Sequence, residues 1–102
     1  MTIYTLATWI AKPGREHEFA QAWRAMGEAT VAEFPNAHGT LIQSRDDPCR
    51  FVSFGHWESE EAVTRWRESA AFQEGFARIQ DSVERAEPGT YLVREEVGAS
   101  SS

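Results

Sequence analysis

Tryptophan, histidine, a lone cysteine and small hydroxyls are the side chains here that could do chemistry. Trp66 stands out among them. It lies in RFVSFGHWESEEAVTRWRESAAFQEGF, from Arg50 to Phe76, which reads as a strand followed by an N-capped amphipathic helix. An indole held between a helix and a sheet can wall a pocket and stack on a planar aromatic ligand. On the residues alone, core packing between helix and sheet is the favoured reading. Trp9, Trp23, Phe72 and Phe76 could line the same cavity, and small Ala7, on the strand face of Trp9, would leave room for a ligand. Aromatics at element spacing are nevertheless most often core.

Imidazole titrates near neutrality and suits a general base. His38 falls in a loop before the second strand, where it could gate a pocket or act as base. His56 ends the third strand, and alternation turns it away from the face of Phe51 and Trp57. His17 falls on the polar side of the first helix. Ser53 and Thr5 could bind a substrate oxygen or satisfy a backbone group. Arg65 and Arg67 flank Trp66, and helical geometry points them away from its face. There is no recognisable Ser-His-Asp or Cys-His signature and no metal-ligand spacing. The pairs Asp46-Asp47, Glu60-Glu61 and Glu95-Glu96 read as turn, helix start and strand end. Cys49 is the single cysteine, so no intrachain disulfide can form, and it reads as a bystander thiol in a turn.

The elements that must position these groups follow from local pattern. Residues 2–11 are rich in Thr, Ile, Tyr and Trp and read as a strand, broken by Pro13-Gly14. Residues 15–34 read as a helix with Phe19, Ala22, Trp23, Met26, Thr30 and Phe34 on one stripe. Residues 34–39 are loop. Strands at 40–45 and 50–57 flank the turn residues Asp46-Asp47-Pro48. Ser59 is an N-cap, with Glu60 and Glu61 favourably placed in the first turn. Val63, Trp66, Ala70, Phe72, Phe76, Ile79 and Val83 continue the helical spacing, which predicts a helix towards Ala86, broken near Ser69 or Gly75. Pro88-Gly89 is expected to stop it. Residues 90–97 read as the last strand, and 98–102 as a disordered tail.

The order β-α-β-β-α-β is the ferredoxin-like arrangement, an α+β fold with an antiparallel sheet and its helices on one face. Its 102 residues make one domain, placed at 1–97. The net charge of −6 and the lack of basic runs interleaved with aromatics argue against nucleic acid and anionic membranes as partners. No apolar run reaches the roughly 18 residues a bilayer requires, and no signal peptide is evident. A cytoplasmic protein is expected. The first strand is apolar on both faces, with Ile3, Ala7 and Trp9 on one and Tyr4, Leu6 and Ile10 on the other; the third behaves alike. Two helices cover one face of such a sheet, and an uncovered face should be polar. A homodimer packed sheet to sheet is therefore expected.

Several segments, IAKPGREHEFAQAW, FPNAHGTL, GHWES and RWRESAAFQEGF, resemble the antibiotic biosynthesis monooxygenase family of the dimeric α+β barrel superfamily. The likeness runs from residue 3 to about 97. It implies a homodimer whose sheets pack into a barrel, with a pocket in each subunit. One branch of that family oxidises quinols or anthrone-type polyketides with molecular oxygen and no cofactor, and uses a tryptophan where Trp66 stands. Another degrades haem using an asparagine, a tryptophan and a histidine. Their counterparts here are Ala7, Trp66 and Phe76. Phenylalanine cannot ligate iron, so the resemblance implies the cofactor-free branch. The expected function is a cofactor-independent monooxygenase of a small aromatic, with Trp66 as ring contact and His38 or His56 as base. A non-catalytic binding protein and an oxygen-independent cyclase-like enzyme are the alternatives.

Overall fold

The computed structural model describes residues 2–98. Beyond Gly98, the tail expected at 98–102 lies outside the described residues. The threonines and aromatics of the N-terminus form β1, Ile3–Ala11. Gly14, at φ 85°, makes the turn that follows, a conformation cheap for glycine alone. The apolar stripe of Phe19, Met26 and Thr30 becomes the buried side of α1, Glu16–Glu33. β2, Thr40–Gln43, is shorter than expected, because turn chemistry starts at Ser44. The Ser44 hydroxyl accepts from the Asp47 amide at 3.0 Å and Asp47 Oδ1 from the Cys49 amide at 3.2 Å. β3 spans Arg50–Trp57 as read.

Ser59 caps α2, Glu60–Glu68, by accepting from the Ala62 amide. Ser69 is extended (φ −77°, ψ 156°) and repeats the device for α3, Ala70–Ile79, accepting from the Phe72 amide. The break falls at Ser69 because a serine in β geometry satisfies the next helix's free amides better than it continues the last one. Gly75 lies inside α3. A Cβ there would run into the Met26 side chain, so the glycine lets α1 and α3 pack closely.

The chain does not continue as helix to Ala86. It makes a single 3-10 turn at Gln80–Ser82 and enters β4, Val83–Leu92, so the last strand starts seven residues before the expected 90. Two contacts explain this. Buried Ser82 donates from its hydroxyl to the Ile79 carbonyl at 3.0 Å. Its own carbonyl accepts from the Lys12 amide at 2.9 Å, tying the chain to the end of β1 instead of another helical turn. Pro88-Gly89 therefore stops no helix. Pro88 sits opposite Ala7 in an edge strand, where a missing N–H is tolerated.

The four strands form one antiparallel sheet in the order β2-β3-β1-β4. The fold is α+β and ferredoxin-like. Ala7 stands between Ser53 on β3 and Pro88 on β4. The helix-facing core comes in two pieces, one around Trp9, Phe19, Phe51 and Ile79, the other around Ile3, Trp57, Ala62 and Val63. On the opposite face Tyr4, Leu6, Ile10 and Val52 are only half-buried, while Ile42 is 50 % and Tyr91 54 % exposed. No helix among the described residues is long and apolar enough to cross a membrane.

Candidate functional site

A cavity of about 440 Å³ lies against the helix-facing side of the sheet, lined by members of both core pieces. That volume is within the usual range for small-molecule pockets, roughly 300–1,000 Å³. Ala7, Trp9, Trp23, Ser53, Trp66, Phe72, Phe76 and His38 all line it. Its aromatic wall is continuous. Trp57 meets Trp66 (ring centroids 5.1 Å), Trp66 meets Phe72 (4.7 Å), Phe72 stacks on Phe76 (5.4 Å), and Phe76 meets Trp9 (5.9 Å). Rings in mutual contact lock one another's rotamers and leave the enclosed space open.

Three of these indoles bond to hydroxyls that also line the cavity. Trp9 donates to Ser53 at 2.9 Å, Trp57 to Thr5 at 3.2 Å and Trp66 to Thr30 at 2.9 Å. Burial of an indole N–H without an acceptor is costly, so each ring has its acceptor on another element. Ser53 and Thr5 therefore hold tryptophans, a role that sequence reasoning did not assign. Thr30 and Trp57 were missed as wall residues. Thr30 sat in the apolar stripe of α1, and one polar residue in such a stripe was the available signal.

His56 does not line the cavity. It is exposed on the uncovered sheet face, its ring edge-on to Tyr4. Its Nε2 is nevertheless 2.7 Å from Nε2 of His38, which does line the cavity. At that distance one nitrogen donates and the other accepts, so the pair shares one proton. Gly55 makes this possible, since a Cβ there would strike the His38 carbonyl as the loop crosses β3.

A sequence model of the family described as antibiotic biosynthesis monooxygenase matches residues 2–78. The chain belongs to this family. SnoaB, a cofactor-independent oxygenase from Streptomyces nogalater, has a similar structure at TM-score 0.83 and 18% identity, covering 96% of this chain and 98% of that one. A Nitrosomonas europaea protein carrying the family name matches at TM-score 0.79 and 22% identity, over 95% and 94%. A Bordetella bronchiseptica protein of the same description matches at 0.76 and 21%, over 94% and 98%. Identities this low show a shared fold. No curated protein matches the chain in sequence.

Ala7, Trp66 and Phe76, the positions that the resemblance to haem-degrading members singles out, all line the cavity. Phe76 offers iron no lone pair, and the one imidazole among the described lining residues is bonded to His56. This lining does not fit a haem ligated through that position. Among the described residues no three His, Cys, Asp or Glu side chains cluster to hold a metal. Cys49 is half-buried at the far end of β1, its thiol 3.7 Å from Glu16. Burial, and then the Glu16 carboxylate, push its pKa up, which keeps it a neutral thiol. Arg67 does line the cavity, contrary to its expected orientation; its long stem carries the guanidinium where Cβ direction alone would not.

Proposed function

We propose that this family member is a cofactor-independent monooxygenase acting on a quinol- or anthrone-type aromatic. The observation that carries the reading is the open cavity walled by Trp9, Trp66, Phe72 and Phe76. Such substrates reduce oxygen once deprotonated. The substrate anion gives one electron to O2, the resulting radical and superoxide combine, and the peroxide loses water. An anthrone CH2 plus O2 thus becomes a carbonyl plus H2O. The protein must hold the ring, stabilise the anion and exclude bulk water.

Trp66 is the ring contact in this reading, and the other lining aromatics fix the substrate plane. His38 takes the substrate proton, and the Nε2–Nε2 contact passes it to His56 on the outer sheet face. The protein works as a homodimer closed through the apolar sheet face, in the cytoplasm.

The test is oxygen uptake by metal-free, flavin-free protein with hydroquinones and anthrones, corrected for autoxidation. Saturable uptake is expected, falling at least about a hundredfold in Trp66→Ala and about 10²–10⁴-fold in His38→Ala. Unchanged turnover in Trp66→Phe, His38→Ala and His56→Ala would sink the assigned roles. One observation favours a second reading, a non-catalytic binding protein. The cavity-lining carboxylate Glu28 is paired with Arg24 at 3.4 Å and is not free to act as a second acid or base. Absent oxygen uptake together with ligand-induced thermal stabilisation would select it. Turnover that persists without oxygen would select a cyclase-like enzyme.

A further inference from the structure

We propose that Arg67 is the anion anchor of the cavity, and that the ligand is a planar aromatic carrying an anionic oxygen, phenolate or carboxylate. The proposal rests on the cavity being the ligand site, as above, but not on oxygen chemistry.

Arg67 stands at the C-terminal end of α2 and lines the cavity. Its Nε is buried and has no hydrogen-bond partner. Its Nη2 makes one long bond, 3.3 Å, to the Thr90 hydroxyl. None of the ion pairs among the described residues includes Arg67. A position in the last turn of α2 suits a cation through the helix dipole. That explains a charge near the helix end. It does not explain a guanidinium N–H turned out of water without an acceptor, an arrangement folded proteins rarely leave unsatisfied.

The neighbouring hydroxyl points to the same ligand. Thr5 is the cross-strand partner of Thr90 and lines the cavity. Its oxygen accepts from the Trp57 indole, which leaves its own O–H to be donated. Arg67 Nε offers a hydrogen and has no lone pair to give, and Thr5 adds a hydroxyl hydrogen. A ligand that brings an acceptor satisfies both. A negatively charged acceptor also neutralises the guanidinium in surroundings of low polarity, where the pairing is strongest. Trp66, the preceding residue, supplies the flat surface for the ring that carries this oxygen.

The experiment is isothermal titration of the full chain at neutral pH with 1-naphthoate and its neutral isostere 1-naphthamide. The wild type is expected to bind the anion more tightly by about tenfold to a hundredfold, the range of a hydrogen bond to a charged group. In Arg67→Met the preference disappears, while naphthamide affinity stays within about twofold. Arg67→Lys, which keeps the charge without the planar fork, restores part of it. Equal binding of the two ligands by wild type, binding of neither, or an undiminished preference in Arg67→Met overturns the proposal. So does an equal loss of both ligands in Arg67→Met, the mark of a packing role. Anion preference without oxygen uptake from quinols removes the monooxygenase reading and leaves Arg67 in place. Oxygen uptake in a protein whose Arg67→Met variant still prefers the anion removes Arg67 alone.

Discussion

Trp66 is tied to a hydroxyl on a different element, Thr30 of α1, so its ring is fixed by a bond as well as by packing. Trp66→Phe removes that bond and part of the ring. We expect a loss of about 1–3 kcal/mol in urea-melt stability, with tryptophan fluorescence reporting a loosened wall. Cys49 gives a second prediction. Its pKa is raised, chiefly by burial and next by Glu16, so little thiolate exists near neutrality. Alkylation by iodoacetamide at pH 7–8 should be slower than for a free cysteine. Glu16→Gln removes one raising influence, lowers the pKa and speeds alkylation. A slower reaction in Glu16→Gln would contradict this assignment.

Among the elements, the junction of α2 and α3 is the point most sensitive to a small change. The Ser69 hydroxyl accepts from the Phe72 amide and donates to the Trp66 carbonyl at 2.6 Å, closing one helix and opening the next. Trp66 and Phe72 are carried on either side of that serine. Ser69→Ala should cost about 1 kcal/mol in thermal or urea unfolding and weaken ligand binding through the shifted rings. Ser69→Asn, another good cap, should recover much of the stability. Gly75→Ala forces a methyl against Met26 and should cost about 1–3 kcal/mol. Pairing it with Met26→Ala relieves the clash, so the double variant should lose less than the sum of the two.

For the whole molecule, the uncovered sheet face is where we expect a second copy to pack. Leu6, Ile10 and Val52 are apolar and half-buried, with Phe54 and Ile42 beside them on the same face. Apolar patches of this kind mark interaction surfaces. We expect a dimer in sedimentation equilibrium. Val52→Glu would bury a charge in the interface, so it should shift the protein toward monomer while the far-UV spectrum of the fold is kept. A monomeric wild type across micromolar concentrations would remove the dimer.

Much of this protein is decided locally and was legible in the sequence. The strands β1 and β3, the helix α1, the Ser59 cap and the βαββαβ order follow from period, turn residues and caps within a few residues of one another. Several residues that wall the cavity, Trp9, Trp23, Trp66, Phe72 and Phe76, were legible as large rings on inner faces, while Trp57, Thr30 and Arg67 were not. The sequence misled at 83–89, where Val83 and Ala86 extend a helical pattern. There the bonds of Ser82 to Ile79 and Lys12, and pairing along β1, outweighed propensity. Tertiary structure alone decided which hydroxyl receives which indole, that His38 meets His56, and that Arg67 turns into the cavity. Those pairings join residues up to 52 positions apart. They depend on how the sheet and helices pack, and no local spacing encodes that packing.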